Sequence, residues 1–322
     1  MERKIKVAVL DDYQQVAMQM ADWSLLDNEC DITVFHDHVA SEDTVIERLK
    51  PFDVVCVMRE RTPLTRNVLL NLTRLKLIVS TGARNASIDA RTVEELGITL
   101  KHTHYVENGA PELTWALLMA LARKLRAEFD NMRTGGWQTT VGVDLVGKTI
   151  GLIGLGRIGS KMATYARAFG MNVIAWSPHL TEERAEVAGA TLVSKAELFS
   201  RADFVSMHLV LSDSTRKIVG KADLLRMRSS AFFINTSRGP LVDEEALAEI
   251  LRDHKIAGAA LDVYSEEPLP DQHPFRKLQH VLATAHIGYV TENTYHVFYG
   301  DTVRAIHEWL QNSFKIPGNT SL

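Results

Sequence analysis

The sequence predicts an α/β protein with two doubly wound parallel sheets, because short aliphatic runs alternate with helix-length segments in two separate blocks. The first block fills roughly the first hundred residues, and its strand-like runs are 6–10, 31–35, 53–58 and 75–79. The second block begins near residue 149, and its runs are 150–153, 172–176, 203–207, 231–235, 256–261 and 281–284. A chain of 322 residues is long enough for two domains that each bury a core.

Composition and charge argue against several classes of protein. The hydrophobic fraction of 46% and the charged fraction of 24% are typical of globular domains rather than of disordered segments. A formal net charge of -4 without a long basic run argues against a nucleic-acid partner. We expect Cys30 and Cys56 to be reduced thiols, because two cysteines without a CxxC pair make neither a disulfide framework nor a zinc site.

The sequence shows no targeting or membrane signal. Residues 1–6 lead directly into a strand-like run instead of the apolar stretch of a signal peptide. The longest apolar stretch in a helical setting is 113–122, which is far shorter than the ~20 residues needed to cross a bilayer. We therefore expect a cytoplasmic protein with no membrane partner.

Two helical segments indicate how the domains are organised. Residues 111–129 have helical spacing with Pro111 in the first turn, which predicts one long helix between the two blocks. Helical spacing returns at 291–314, and we expect this tail to pack back against the first domain. The predicted domains are therefore 1–104 plus 290–322, and 105–289.

A glycine-rich motif opens the second block. The motif is Gly154-Leu-Gly156-Arg157-Ile158-Gly159. It follows an aliphatic strand and precedes a helix. Gly154 permits a tight turn, Gly156 lets the backbone approach a pyrophosphate, and Gly159 lets the helix pack on the strand. The helix N-terminus then faces the phosphates with its partial positive charge. We expect all five residues to lie at a binding site for NAD or NADP.

The position that reads the adenosine ribose is Ser177, at the end of the next strand. A carboxylate there would select NAD, and a nearby arginine would accept the 2′-phosphate of NADP. Ser177 is neither, and the nearest downstream arginine is Arg184, so the preference between the two cofactors stays open. Further candidate cofactor contacts follow the later strands, and they are His208, Thr215, Thr236, Asp262 and Gly288.

Three charged or titratable residues follow successive strands of the second block. Arg238, Glu267 and His286 come after the runs 231–235, 256–261 and 281–284. Because ligands of open α/β sheets bind at the carboxyl ends of the strands, we expect these side chains to converge at one site. Singly, each has a structural interpretation as a turn cap, a solvated loop residue or a buried histidine. Together, a cation, a carboxylate and an imidazole beside a dinucleotide motif predict acid–base catalysis.

At this point the sequence resembles the D-isomer-specific 2-hydroxyacid dehydrogenases. The segments that carry the resemblance are 145–159, 235–240, 260–264, 267–268 and 286–288. The resemblance implies a Rossmann dinucleotide-binding domain inserted in a flavodoxin-like substrate domain, and a homodimer. It also implies a catalytic triad of Arg238, Glu267 and His286, with Asp262 as a supporting carboxylate.

The resemblance implies reversible reduction of a small 2-oxo acid to a D-2-hydroxy acid with NAD(P)H. Arg238 would grip the substrate carboxylate and polarise the 2-oxygen. His286 would give a proton to the carbonyl oxygen as hydride arrives from the nicotinamide. Glu267 would favour the imidazolium and fix the orientation of the ring. The particular 2-hydroxy acid and the physiological direction stay open.

The resemblance also assigns a carboxylate-binding loop to residues 81–89, with Gly82, Ala83 and Arg84 as candidate substrate contacts. Arg84 stands where relatives usually have a second glycine, so the loop would add a cation to its backbone N–H groups. Arg59 and Arg61, which follow the third strand, are further candidates to bind an anionic substrate, although a surface salt-bridge role is about equally plausible for each.

The alternatives to this interpretation are a metal site, an NAD(H)-sensing binding protein and formate oxidation. His102 and His104 lack partners at metal-ligand spacing, so we expect no metal site. An NAD(H)-sensing binding protein with little turnover, like the related C-terminal-binding corepressors, is the main alternative function. Formate oxidation is disfavoured, because the similar formate dehydrogenases carry glutamine where this chain has Glu267.

Overall fold

The computed structural model describes residues 3–313 of the chain, which fold as two compact units. The first unit comprises the described residues of Met1–Val106 and Val290–Leu322. The second unit is Glu107–Tyr289. Among the described helices, none combines the length and the apolar character that a membrane span requires.

The first unit contains a five-stranded parallel sheet in the order β2-β1-β3-β4-β5. Its strands and first helices are β1 (Ile5–Val9), β2 (Cys30–Val34), α1 (Glu42–Leu49), β3 (Val54–Val57), α2 (Arg66–Asn71), β4 (Leu77–Ser80), α3 (Ala90–Glu95) and β5 (Thr99–His102). The strands β3 and β4 are buried along their whole length, which explains their continuous aliphatic sequence. The strand order is that of the flavodoxin-like folds, as predicted.

The second unit contains a seven-stranded parallel sheet in the order β12-β11-β10-β9-β6-β7-β8. It begins with α4 (Gly109–Ala122), α5 (Leu125–Arg133), β6 (Thr149–Ile153), α6 (Arg157–Ala168), β7 (Asn172–Trp176), α7 (Glu182–Val187), β8 (Thr191–Leu192) and α8 (Lys195–Arg201). It continues with β9 (Phe204–Met207), α9 (Lys221–Leu224), β10 (Phe232–Asn235), α10 (Glu244–Arg252), β11 (Gly258–Leu261), α11 (Pro274–Lys277) and β12 (Val281–Ala283). Buried apolar clusters cover both faces of this sheet. This is the doubly wound Rossmann arrangement that the sequence predicts.

The chain returns to the first unit as α12 (Glu292–Ser313). Phe298, Ile306 and Leu310 of this helix are buried, and the Tyr295 hydroxyl donates to Gln14 Oε1 at 3.0 Å. The predicted tail helix is therefore present. Its predicted last residue, Phe314, lies outside the described residues.

Two short strands were missed, because neither carries an aliphatic run. The strand β5 is an edge strand whose residues Thr99–His102 are half-buried or exposed. The strand β8 has only two residues, and it pairs with β7 at one edge of the larger sheet. Edge strands are shielded on fewer sides, so their sequences need less apolar character.

The prediction of one long helix over 111–129 was wrong. The helix breaks between Ala122 and Leu125, where Lys124 adopts a left-handed backbone conformation with φ of 51°. The Ala122 carbonyl accepts a hydrogen bond from the Val143 N–H at 2.7 Å, which occupies the oxygen that a continuing helix would use. A tertiary contact therefore ends α4 after Ala122.

We predict that Lys124→Gly raises the free energy of unfolding by about 0.5–1 kcal/mol, because glycine adopts the left-handed conformation without the penalty that a Cβ imposes. Urea-induced unfolding followed by circular dichroism measures the change. The control is Ala127→Gly inside α5, which should lower stability by about 0.5–1 kcal/mol. Equal destabilisation by both glycines would contradict a left-handed Lys124.

Candidate active site

The turn between β6 and α6 has the shape that a dinucleotide pyrophosphate requires. Gly154 has φ of 98°, and a Cβ there would lie 2.7 Å from the His208 carbonyl oxygen. A Cβ on Gly159 would lie 2.2 Å from the Gly154 carbonyl oxygen. Gly156 instead faces open space, with no atom within 4 Å of an added Cβ. Packing thus demands glycine at 154 and 159, while the space beside Gly156 admits a ligand at the start of α6.

His208 lies directly beside this turn. Its backbone N–H donates to the Ile153 carbonyl at 2.7 Å, and its Nε2 lies 2.9 Å from Ser206 Oγ. The side chain is buried, and Nδ1 has no hydrogen-bond partner within the described part of the chain. Burial lowers the pKa of His208 to about 3, so the ring is neutral at physiological pH. A buried unpaired nitrogen beside the glycine turn fits a site that receives a polar ligand.

The end of β7 adjoins the same turn. The Gly154 N–H donates to the Trp176 carbonyl at 2.8 Å, which places Ser177 next to the glycine motif. Ser177 is half-buried, and residues 172–181 contain no carboxylate. The position therefore fits the ribose-reading role without indicating which cofactor it prefers.

Glu267 and His286 form a carboxylate–imidazole pair. Glu267 Oε2 lies 2.6 Å from His286 Nδ1, and Glu267 Oε1 accepts a hydrogen bond from the Tyr264 N–H at 2.9 Å. Their side chains retain 26% and 19% exposure, so the pair is partly shielded yet accessible to a small ligand. Each residue follows one of the neighbouring strands β11 and β12.

Arg238 follows β10, the next strand in the sheet. The buried Asn235 side chain holds its turn: Nδ2 donates to the Arg238 carbonyl at 3.0 Å, and Oδ1 accepts the Ser237 N–H at 3.0 Å. Gly239 lies so close to the next turn that a Cβ would be 2.0 Å from the Tyr264 carbonyl carbon. The turn that carries Arg238 is therefore pressed against the turn that leads to Glu267.

Asp262 holds the loop that carries His286. Its Oδ1 accepts the Thr284 hydroxyl at 2.6 Å and the Ile287 N–H at 2.8 Å, and its Oδ2 accepts the Gly288 N–H at 2.9 Å. Burial raises the pKa of Asp262, and the hydrogen bond from Thr284 opposes that shift. His286 itself has φ of 52°, a left-handed conformation that is uncommon for non-glycine residues.

Comparison with known proteins identifies the family. Residues 115–288 match the family model of the D-isomer specific 2-hydroxyacid dehydrogenase, NAD binding domain. The chain belongs to the D-isomer-specific 2-hydroxyacid dehydrogenases. The matched region contains the glycine turn, Arg238, Glu267 and His286. It covers nearly all of the second unit, which is therefore the NAD-binding domain of this family.

Individual relatives carry several names. The chain is 38% identical to D-3-phosphoglycerate dehydrogenase of Methanocaldococcus jannaschii over 256 residues, which are 78% of this chain and 48% of that protein. It is 33% identical to hydroxypyruvate reductase of Thermotoga maritima over 290 residues, 88% of this chain and 92% of that protein. A crystal structure of phosphoglycerate oxidoreductase from Vibrio cholerae superposes with a TM-score of 0.90 and 37% identity, over 96% of this chain and 99% of that chain. The chain thus spans about half the length of the phosphoglycerate dehydrogenases among these relatives.

The other predicted cofactor contacts lie in the same unit of the chain. Thr236 precedes Arg238 by two residues, and its Oγ1 lies 2.7 Å from Thr114 Oγ1 of α4. Thr215 lies in an exposed loop after β9, where its hydroxyl donates to the Val210 carbonyl at 2.8 Å. Arg157 is exposed and pairs with Glu107. Ile158 is half-buried against the apolar core beneath the sheet.

The predicted substrate residues lie in the first unit, at the carboxyl ends of β3 and β4. Gly82 has φ of 81°, and its N–H donates to Thr103 Oγ1 at 2.8 Å, so that N–H is already occupied. Arg59 Nη1 donates to the Thr81 carbonyl at 3.1 Å. Ala83 and Arg84 are exposed.

The histidines considered for a metal have protein partners instead. His102 Nδ1 lies 3.2 Å from the Gly82 carbonyl, and His104 Nδ1 lies 2.8 Å from Asp301 Oδ2. Within residues 3–313, no three histidine, cysteine or carboxylate side chains form a group that could hold a metal ion.

Sequence reasoning missed three residues that position the site. Asn235 and Tyr264 lie in the segments 235–240 and 260–264 that carry the family resemblance, and Thr284 ends the run 281–284. Each follows or ends a buried strand with a polar group at the ligand-binding edge, which is the signal that was available. In the first unit, Asp11 gave a similar signal after β1, and its buried carboxylate accepts the Thr62 hydroxyl at 2.7 Å.

We predict that His208 makes the folded state sensitive to acid. Its pKa of about 3 lies below the ordinary value of 6.5, so the unfolded chain binds the proton more readily. The contribution of His208 to the free energy of unfolding is therefore complete above pH 6.5. It decreases by up to about 1.4 kcal/mol for each pH unit as the pH falls from 6.5 toward 3. His208→Asn should reduce this slope in urea titrations between those pH values, whereas His254→Asn, at an exposed histidine, should leave it unchanged. Equal slopes in all three proteins would contradict the prediction.

Proposed function

We propose that this chain interconverts a small 2-oxo acid and the corresponding D-2-hydroxy acid by hydride exchange with NAD or NADP. Arg238, Glu267 and His286 are the catalytic residues. The observation that carries this proposal is the 2.6 Å pair of Glu267 Oε2 and His286 Nδ1 at the edge of the sheet that also bears the glycine turn. The family membership supports the same reaction class.

The bound nicotinamide supplies or accepts the hydride, and the residues of the chain handle the proton. His286 Nδ1 is engaged by Glu267, so we assign Nε2 as the nitrogen that exchanges a proton with the substrate 2-oxygen. Glu267 fixes the ring through one oxygen and is itself fixed by the Tyr264 N–H through the other. Asp262 holds the backbone of the His286 loop, which keeps the ring in place between turnovers.

Arg238 binds and polarises the substrate. A guanidinium presents two parallel N–H donors, which match the carboxylate and the adjacent 2-oxygen of a 2-oxo acid. Its backbone is held by Asn235, and the Gly239 contact with Tyr264 sets its distance from the Glu267 turn. The arrangement suits a reaction in which negative charge develops on the 2-oxygen.

The two units take different roles in this proposal. Residues 105–289 form the NAD(P)-binding domain, with the glycine motif, Ser177, His208, Thr215, Thr236, Asp262 and Gly288 at the cofactor. Residues 1–104 plus 290–322 form the substrate domain, with Arg59, Gly82, Ala83 and Arg84 toward the substrate. We place the enzyme in the cytoplasm.

The enzyme interpretation is favoured over the binding protein. The relatives named above are a dehydrogenase, a reductase and an oxidoreductase, and none of these three is a corepressor. The Glu267–His286 pair is also the arrangement that proton transfer by His286 requires.

We predict that His286→Ala lowers kcat for 2-oxo acid reduction by about 10²- to 10⁴-fold, because the general acid is lost. NADH affinity, measured by calorimetry, should be retained, because the glycine turn is untouched. Absorbance of NADH and NADPH is followed with glyoxylate, hydroxypyruvate and phenylpyruvate. The exposed His254 provides the control variant, His254→Ala, which should change kcat by no more than about twofold. Cofactor binding without turnover on any acid by the unmodified chain would instead support the sensing protein.

We further propose a homodimer formed through the region from α5 to β6. Large apolar side chains are exposed there on the isolated chain: Phe129 is 65% exposed, Met132 60%, Trp137 72% and Val141 85%. The helix α5 buries none of its residues within its own unit. A concentrated apolar surface of this kind is typical of a subunit interface.

We predict that the double variant Phe129→Glu/Trp137→Glu is monomeric in sedimentation velocity at micromolar concentration, because two charges would lose hydration in the interface. The unmodified chain should sediment as a dimer. Val187, which is 86% exposed at the end of α7, provides the control variant, Val187→Glu, and this should remain dimeric. A monomeric unmodified chain would refute the dimer.

A further inference from the structure

The side chain of Tyr264 joins the ends of two neighbouring strands. Its hydroxyl donates to the carbonyl of Leu261, the last residue of β11, at 2.9 Å. It also donates at 2.8 Å to the carbonyl of Thr284, which directly follows β12. One phenolic hydrogen therefore reaches two carbonyl oxygens, in a three-centre hydrogen bond across the carboxyl ends of both strands.

The sheet supports the strand β12 on one side only. This strand has three residues, lies at the edge of the sheet, and pairs with β11 alone among the described strands. A short edge strand is held by few ladder hydrogen bonds, so the position of its end depends on side-chain contacts. The Tyr264 hydroxyl supplies such a contact two residues before His286.

The Tyr264 hydroxyl is a stable donor in this position. The side chain is 6% exposed and packs in the apolar cluster that contains Leu269 and Phe275. Burial raises the pKa of Tyr264, and the Asp262 and Glu267 carboxylates raise it further. The hydroxyl therefore keeps its proton at physiological pH and holds the strand carbonyls without titrating itself.

Tyr264 also contacts the acid–base pair through its backbone. Its N–H donates to Glu267 Oε1 at 2.9 Å, while Glu267 Oε2 lies 2.6 Å from His286 Nδ1. The same residue thus binds the carboxylate of the pair through its N–H and, through its hydroxyl, the strand end that leads to the imidazole. The separation of Glu267 and His286 therefore depends on Tyr264 from both sides.

We infer that the Tyr264 hydroxyl is a positioning group for proton transfer, because it holds the end of β12 where His286 meets Glu267. This inference rests on the proposed function, in which His286 exchanges a proton with the substrate 2-oxygen. Asp262 fixes the backbone after His286, and the Tyr264 hydroxyl fixes the backbone before it. Tyr264→Phe would keep the ring in the apolar cluster, so the variant should fold, but it would remove the donor to Thr284.

The first test measures kcat and KM of Tyr264→Phe with NADH and glyoxylate, hydroxypyruvate or phenylpyruvate between about pH 5 and 9. We expect kcat to fall by about 10-fold, because a small misplacement of a reacting group slows the chemical step. KM for the acid should change by no more than about twofold, because Arg238 is untouched. Reduction uses the imidazolium that Glu267 favours, so the pH at which kcat falls to half its maximum should decrease by about half a unit or more.

Tyr295→Phe provides the matched control. Tyr295 is a buried tyrosine of the first unit, 4% exposed, and its hydroxyl donates to Gln14 Oε1 at 3.0 Å. This control removes the same atom from a similarly buried ring, and it should leave kcat and the pH midpoint unchanged. Equal effects in the two variants would overturn the inference, and so would an unchanged pH midpoint in Tyr264→Phe.

A second background separates positioning from a general loss of stability. Glu267→Gln weakens the pair through which the Tyr264 hydroxyl acts, so adding Tyr264→Phe should lower kcat by no more than about twofold further. A loss of about 10-fold in both backgrounds would show that the hydroxyl acts independently of the pair, and the inference would then be wrong.

A spectroscopic measurement tests the inference without turnover. The full chain with ¹³C-labelled histidine is titrated between about pH 5 and 9, and the His286 resonance is assigned by its loss in His286→Ala. Its titration midpoint should move to lower pH in Tyr264→Phe and stay in place in Tyr295→Phe. An unchanged midpoint in Tyr264→Phe would count against the role of Tyr264. Absence of turnover by the unmodified chain, with the midpoint shifted in Tyr264→Phe, would count against the proposed function alone.

Discussion

Asp262 accepts three hydrogen bonds from the segment that follows β12, and the geometry of the candidate active site depends on them. His286 has a backbone conformation that costs about 1–3 kcal/mol for a non-glycine residue. Such a conformation persists only where the surroundings hold it, and the N–H groups of Ile287 and Gly288 are bound to a buried carboxylate immediately after it. Asp262 therefore positions the backbone at His286 so that the imidazole lies beside Glu267.

The same principle extends across the three neighbouring strands. Asn235 shapes the turn after β10, Tyr264 donates its N–H to Glu267 after β11, and Asp262 ties the end of β11 to the loop after β12. Gly239 lets the first two turns touch, since a Cβ there would overlap the Tyr264 backbone. Polar groups of the chain thus fix the separations among Arg238, Glu267 and His286 through backbone contacts.

Much of this could be predicted from the sequence, because buried parallel strands carry continuous aliphatic runs and their carboxyl ends collect the ligand-binding residues. The two blocks of parallel strands followed from the first rule, and the meeting of Glu267 and His286 at one sheet edge followed from the second. The flavodoxin-like and Rossmann assignments came from the family resemblance. The edge strand β5 escaped prediction because its residues are half-exposed and lack an aliphatic run. The break at Lys124 depends on the hydrogen bond from Val143 to Ala122, which no local pattern reveals. Likewise, no spacing indicates that Thr103 occupies the Gly82 N–H.

The Glu267–His286 pair and the loop after β4 are held by separate sets of contacts. The Tyr264 N–H and the loop bound by Asp262, both in the second unit, hold the Glu267–His286 pair. Asn85, Thr103 and Arg59 of the first unit hold the loop after β4. Ala83 and Arg84 contribute nothing to the anchoring of that loop, because its hydrogen bonds run through the residues on either side. A substitution at these two positions therefore changes the charge that the loop presents without loosening its backbone or the acid–base pair.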